Sequence, residues 1–111
     1  MGVIASVRES GYIIARLRYE IVFAPEAIED LRRLAAHLRS EVKDQIERHL
    51  RYEPTKVSRS RIKRLRGLTR PQYRLRVGEA RVFYDVVEGS VEVLAIVLKS
   101  NANTWLEEAG E

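Results

Sequence analysis

The reading of the fold turns on Tyr73-Arg74-Leu75-Arg76-Val77-Gly78-Glu79-Ala80-Arg81-Val82-Phe83-Tyr84-Asp85-Val86-Val87. Apolar or aromatic and charged residues alternate strictly up to Val77, Gly78-Glu79 makes a two-residue turn, and β-branched and aromatic residues run back from Arg81. This is the pattern of an antiparallel hairpin. With that turn, Val77 pairs with Ala80, Arg76 with Arg81, Leu75 with Val82, Arg74 with Phe83 and Tyr73 with Tyr84. Side chains alternate across a sheet, so Tyr73, Leu75, Val77, Val82, Tyr84 and Val86 share a core face. Arg74, Arg76 and Arg81 share the other. Like charges directly opposite one another destabilise a strand pair, so stability alone does not select this arrangement. An anion bound among the three accounts for it. The competing reading pairs these guanidinium groups with Asp85, Glu92, Glu107 or Glu108, contacts of modest worth at a surface.

Downstream, Glu88-Gly89 is a second tight turn before Val91 to Leu98, which extends the hairpin to a three-stranded meander. Continued alternation assigns Val91, Val93, Ala95 and Val97 to the core face and Leu94, Ile96 and Leu98 to the arginine face. A sheet apolar on both faces needs two covers. A short terminal helix over Asn103 to Glu108, anchored by Trp105, is expected to be part of the second, with a partner protein or another copy as the rest.

Upstream, Tyr19-Glu20-Ile21-Val22-Phe23 reads as a strand. Pro25 then suits a first helical turn and Glu26 complements the helix dipole. Ile28, Leu31, Ala35 and Leu38 follow at helical spacing, and Ser40 is the expected N-cap of a second helix carrying Val42, Ile46 and Leu50. Glu53-Pro54 ends it. The expected fold is therefore α+β: an N-terminal strand, an α-helical hairpin, then the meander, giving a four-stranded sheet with a short C-terminal helix. The segment from Thr55 to Pro71 reads as loop, or a short strand at most. Residues 1–18 are read as an N-terminal arm, with Tyr12 to Ala15 either extending the first strand or loosely attached, and residues 19–111 as one domain.

A chain of 111 residues suffices for one domain that buries roughly 65% of its unfolded surface. It has no cysteine, which excludes disulfides and thiolate metal sites and makes a reducing cytoplasm the expected location. No apolar run approaches bilayer length, so no membrane partner is expected. The net charge of +4 hides a divided molecule: Arg51 to Arg81 holds eleven Lys or Arg against Glu53 and Glu79, and the remainder is net acidic. Such density is explained either by a polyanionic partner or by a solvated basic loop.

The ordered set of strand, helical hairpin, basic loop and meander resembles the RelE/ParE toxin superfamily of prokaryotic toxin–antitoxin modules. The likeness is carried by Leu65-Arg66-Gly67, by Tyr73 to Val77, by Arg81 to Val86, and by Phe23-Ala24-Pro25-Glu26-Ala27 ahead of Ile28-Glu29-Asp30-Leu31. For the RelE branch the resemblance implies a ribosome-dependent endoribonuclease, with no metal and no organic cofactor, that cuts messenger RNA in the ribosome. Carried over by position, Arg74, Arg76 and Arg81 are the expected catalytic residues, binding the phosphate on which the ribose 2′-hydroxyl acts and stabilising its developing charge. Lys63, Arg64 and Arg66 are expected to hold the RNA backbone, and Lys99 stands where the family carries a further base.

The departure lies after the last strand, where RelE-type nucleases carry an arginine and then a tyrosine. Here the stretch reads Lys99-Ser100-Asn101-Ala102-Asn103-Thr104-Trp105-Leu106, and nothing replaces the tyrosine. His37 and His49 fall within the helical hairpin and are read as ordinary helix-face residues. Two alternatives follow: a ParE-like inhibitor of DNA gyrase, or a degenerate, non-toxic homologue that only binds antitoxin. In every case the implied partner is an acidic or amphipathic cognate antitoxin in a hetero-oligomer, anchored on Leu94, Ile96 and Leu98.

Overall fold

A computed structural model describes residues 18–111 in full and, before them, the backbone of Val3–Arg8 (β1) and Gly11–Ala15 (β2). β1 and β2 pair with each other antiparallel as a separate two-stranded sheet, so Tyr12 to Ala15 do not lengthen the next strand. The remaining residues before Arg18 lie outside the described part of the chain.

The main chain of the fold runs Glu20–Phe23 (β3), Pro25–Arg33 (α1), Ala36–Leu50 (α2), Ile62–Arg64 (β4), Tyr73–Val77 (β5), Ala80–Val87 (β6), Ser90–Leu98 (β7), a short 3-10 turn Lys99–Asn101, and Ala102–Ala109 (α3). The α+β architecture is as expected, but the sheet has five strands in the order β3-β7-β6-β5-β4. The fifth is β4, cut from the basic segment. It forms because Ile62 has a core position opposite Leu75 and because the Ser58 hydroxyl accepts the Arg61 and Ile62 N–H groups at 3.0 and 3.1 Å.

The β5–β6 register agrees residue by residue with the hairpin derived above. Gly78 takes a φ of +54° at the first position of the turn, where a side chain would be strained. β3 joins the far side of β7 in parallel, Phe23 opposite Val93. Its start is stitched to the end of α2: the Tyr19 N–H donates to the Arg51 carbonyl at 2.8 Å, and Arg51 Nη1 donates to the Tyr19 carbonyl at 2.9 Å.

The helical joint differs from expectation. α1 stops at Arg33, Leu34 and Ala35 are extended, and α2 begins at Ala36, so Ser40 lies inside α2 and caps nothing. Leu34, only 8% exposed, is driven into the core at the joint, and this sets the break earlier than helical spacing alone suggests. Ala27, Leu34, Val42, Ile46 and Leu50 then pack on Ile62, Leu75, Val77, Ala80, Val82, Tyr84, Val91, Val93 and Ile96. The buried Tyr84 hydroxyl donates to the Pro54 carbonyl at 2.6 Å, and burial pushes its pKa well above the usual tyrosine value.

A bulge corrects the reading of β7. Phe83 pairs with Ala95 but Tyr84 pairs with Val93, which leaves Leu94 as the extra residue and reverses the alternation beyond it. Ile96, 3% exposed, therefore pairs with Val82 in the helix-covered core, while Ala95 and Val97 fall opposite Phe83 and Arg81 on the arginine face. Leu98 pairs with Ala80, a core-face position, although it is 42% exposed. Among the described residues, no strand flanks this side of β7 beyond Val93; there the Asp30 carboxylate of α1 accepts the Ile96 N–H at 2.9 Å.

The second cover is α3. Trp105 stacks on Phe83 with ring centroids 4.8 Å apart and planes 12° from parallel. The helix is held at both ends: the Lys99 N–H donates to the Glu79 carbonyl at 2.7 Å, and the Glu111 N–H donates to the Arg70 carbonyl at 2.7 Å. Gly110 permits that return, because a Cβ there would lie 2.5 Å from the Leu106 carbonyl oxygen. Among the described residues, no helix is long and apolar enough to cross a membrane.

Candidate functional site

The strands bring the cations of the arginine face together in rows. Lys63 of β4 lies beside Arg74 of β5, which lies opposite Phe83 of β6. In the next row Arg76 stands opposite Arg81. Lys63, Arg74, Arg81 and Lys99 line one cleft of about 330 Å³, together with Leu65, Phe83 and Leu106 and with Ala102 and Asn103 from the start of α3.

Its electrostatics are those of an unneutralised site. Arg81 is only 7% exposed. Its Nη1 donates to the Gly78 and Ala80 carbonyls at 2.8 and 2.9 Å, which fixes the guanidinium against the hairpin turn. Burial lowers its pKa, with the Arg76 charge adding to the effect and Glu79 opposing it. Arg74 is lowered for the same first reason, burial, and then by Arg81 and Arg76. Its Nε is buried without a hydrogen-bond partner among the described residues. A buried donor without a partner costs stability, and an acceptor placed there would relieve that cost.

The acids of this face lie at its other end and are occupied there. Arg70, not the three hairpin arginines, pairs with Asp85 at 3.4 Å and with Glu92 at 2.8 Å. Asp85 also accepts the Gln72 N–H at 2.8 Å. Burial nonetheless raises its pKa, against the lowering effects of the Gln72 bond and the Arg70 charge. Among the described residues, no carboxylate is paired with Arg74, Arg76 or Arg81.

Other expected residues fall elsewhere. Arg76 is exposed and lines a neighbouring groove with Ser60, Arg61, Glu41 and Gln45. Arg64 leaves the cleft altogether: it pairs with Tyr73, and its guanidinium sits 5.0 Å from the Tyr73 ring centroid on the opposite face. Arg66 is exposed in the following loop and does not line the cleft. Leu94 borders a separate groove with Trp105 and Arg70, whereas Ile96, buried in the core, is unavailable as an anchor. His49 shares a hydrogen bond with Gln45 along α2 and is not part of the cleft. Among the described residues, no group of three or more His, Cys, Asp or Glu could hold a metal. Sequence reasoning missed Asn103 as a cleft residue, because its position depends on where α3 crosses the sheet, and no local pattern encodes that.

This arrangement can bind a phosphodiester and stabilise added negative charge on it. A family model, the ParE toxin of type II toxin–antitoxin systems (parDE), matches residues 21–102. The fold resembles that in the toxin–antitoxin complex RelBE2 from Mycobacterium tuberculosis, at 23% identity and a TM-score of 0.65 over 76% of this chain and 94% of that one. It also resembles the archaeal RelE–RelB complex from Pyrococcus horikoshii, at 21% identity and a TM-score of 0.61 over 74% and 96%. A third likeness is to a double arginine-to-alanine mutant of the E. coli toxin RelE in the free state, at 20% identity and a TM-score of 0.60 over 81% and 93%. No curated protein sequence matches the chain. The family match runs from β3 to the start of α3, and the chain thus belongs to the RelE/ParE superfamily of type II toxins.

Proposed function

We propose that this protein is a ribosome-dependent endoribonuclease that cuts messenger RNA, halts translation and is neutralised by a cognate antitoxin. The observation that carries the reading is the cleft in which Lys63, Arg74, Arg81 and Lys99 converge with no paired carboxylate among the described residues. In the proposed reaction the ribose 2′-oxygen bonds to phosphorus and the bond from phosphorus to the 5′-oxygen breaks, leaving a cyclic phosphate. Arg74 and Arg81 face the non-bridging oxygens, where fixed donors favour the more highly charged transition state. Among the described residues, no histidine, tyrosine or carboxylate lines the cleft. Its ammonium groups, Lys63 and Lys99, therefore supply the proton to the leaving 5′-oxygen, and water takes the proton of the 2′-hydroxyl. The ribosome positions the RNA. The antitoxin, an acidic or amphipathic segment, lays carboxylates against the same cations and an apolar side chain in the groove at Leu94, with Leu98 as a further exposed apolar contact.

The test is a cell-free translation reaction on a defined message, with cuts mapped by primer extension. Arg74→Ala is a cleaner variant than Arg81→Ala, since Arg81 also holds the turn carbonyls. Ribosome-dependent cuts that disappear in folded Arg74→Ala protein are expected. Intact message and normal protein synthesis with the wild type would overturn the reading.

A second reading, inhibition of DNA gyrase, is favoured by the ParE family match and by the absence of tyrosine and arginine from Lys99 to Leu106. Under it the cleft binds and does not cut, and DNA cleavage complexes accumulate in expressing cells.

A further inference from the structure

Cations hold a phosphate backbone in register but carry no base information. Among the side chains lining the cleft, Asn103 alone is uncharged and able both to donate and to accept hydrogen bonds. It is exposed in the first turn of α3, and it neither caps that helix nor bonds to another described side chain. Its position is fixed by the elements around it. Trp105 stacks on Phe83 two residues later, and the Lys99 and Glu111 N–H groups hold the segment at both ends. A reading group on a pinned element is placed more reproducibly than one on a loop.

We propose that Asn103 selects the base beside the phosphate held by Arg74 and Arg81, and that the selected base is adenine. Leu65 and Leu106 supply apolar contact for a splayed base, and a carboxamide matches the adjacent donor and acceptor of adenine, N6 and N7. The inference rests on the proposed ribonuclease reading for its substrate, but base selection is measurable without cleavage.

Two measurements test it, each with wild type, Asn103→Ala and, as control, the exposed neighbour variant Thr104→Ala. The first maps cuts on a message that presents all bases evenly at each codon position. Wild type and Thr104→Ala are expected to favour adenine roughly tenfold at one position flanking the cut. Asn103→Ala should flatten that preference while continuing to cut. The second titrates short 2′-deoxy homo-oligonucleotides, which cannot be cleaved, against Trp105 fluorescence. Tighter binding of the adenine oligomer by wild type, lost in Asn103→Ala, is expected. Cuts with a base distribution unchanged in folded Asn103→Ala would overturn base reading and leave the nuclease standing. Adenine-selective binding without any cutting would overturn the nuclease and leave base reading standing. Equal binding of all oligomers, or none, in the absence of cuts would remove both.

Discussion

Arg76 stands directly opposite Arg81 across the β5–β6 ladder, and neither is paired with a described carboxylate. The pair works against the hairpin that carries it. Replacing exposed Arg76 by Thr removes the repulsion and adds a good strand former. Arg76→Thr is expected to raise stability by about 0.5 kcal/mol, read as a higher urea midpoint. A variant that is less stable than wild type would show that the opposed charges are already compensated.

Arg74 tests catalysis more directly, because its buried Nε has no hydrogen-bond partner among the described residues to lose. Arg74→Ala should lower the cutting rate by about a hundredfold or more, the scale of losing one fixed donor to developing charge. The thermal midpoint should stay where it is or rise. Arg74→Lys restores charge without the planar fork and should recover only part of the rate.

Tyr84 should behave in the opposite way, with loss of stability and no direct effect on chemistry. Tyr84→Phe strands the Pro54 carbonyl, which now accepts the hydroxyl at 2.6 Å. The expected cost is about 1–3 kcal/mol in urea unfolding, with cutting unchanged per folded molecule. An unaltered unfolding curve would mean that water replaces the lost bond.

His49 should make stability depend on pH near neutrality. Burial lowers its pKa in the folded protein, and the Arg61 and Arg48 charges add to that. The unfolded chain, with a histidine pKa of about 6.5, therefore takes up the proton first as pH falls. Stability from this group is complete above that value and is lost as pH drops through the folded pKa, where the loss levels off. Urea midpoints should fall as pH drops past about 6.5, and His49→Gln should remove that part of the change.

The hairpin was legible because strict alternation and the Gly78-Glu79 turn specify both faces at once, and every pair from Tyr73–Tyr84 to Val77–Ala80 is realised. The face of β7 was not. Val93 to Leu98 is apolar throughout, so its sequence alternates no better without a bulge than with one, and Ile96 was assigned to the wrong side. Ser40 looked like a cap because cap residues also occur inside helices, where packing at Leu34 and Val42 decides the boundary. Strand register alone puts Arg74 and Arg81 on one face, whereas Lys63 and Lys99 were expected from the family resemblance; all four line one cleft. Arg64 was misplaced because β4 was read as loop, and a loop has no faces to assign. Asn103 required knowing where a helix crosses a sheet.

The extra residue at Leu94 has a consequence for how this chain tolerates change. One uninterrupted apolar run, Val93 to Leu98, supplies two separate interiors, Val93 with Ile96 beneath the paired helices, and Ala95 beside Phe83 beneath the terminal one. The division depends on counting, not on chemistry: exchanging one aliphatic residue for another within the run leaves it intact. Deleting Leu94 would close the bulge and leave Ile96 opposite Val82, whereas adding one residue beside it would send Ile96 out toward the cleft and draw Val97 inward, without altering the overall hydrophobicity of the strand. β7 is thus open to losing a residue at the bulge and closed to gaining one, while its aliphatic spelling is free to vary.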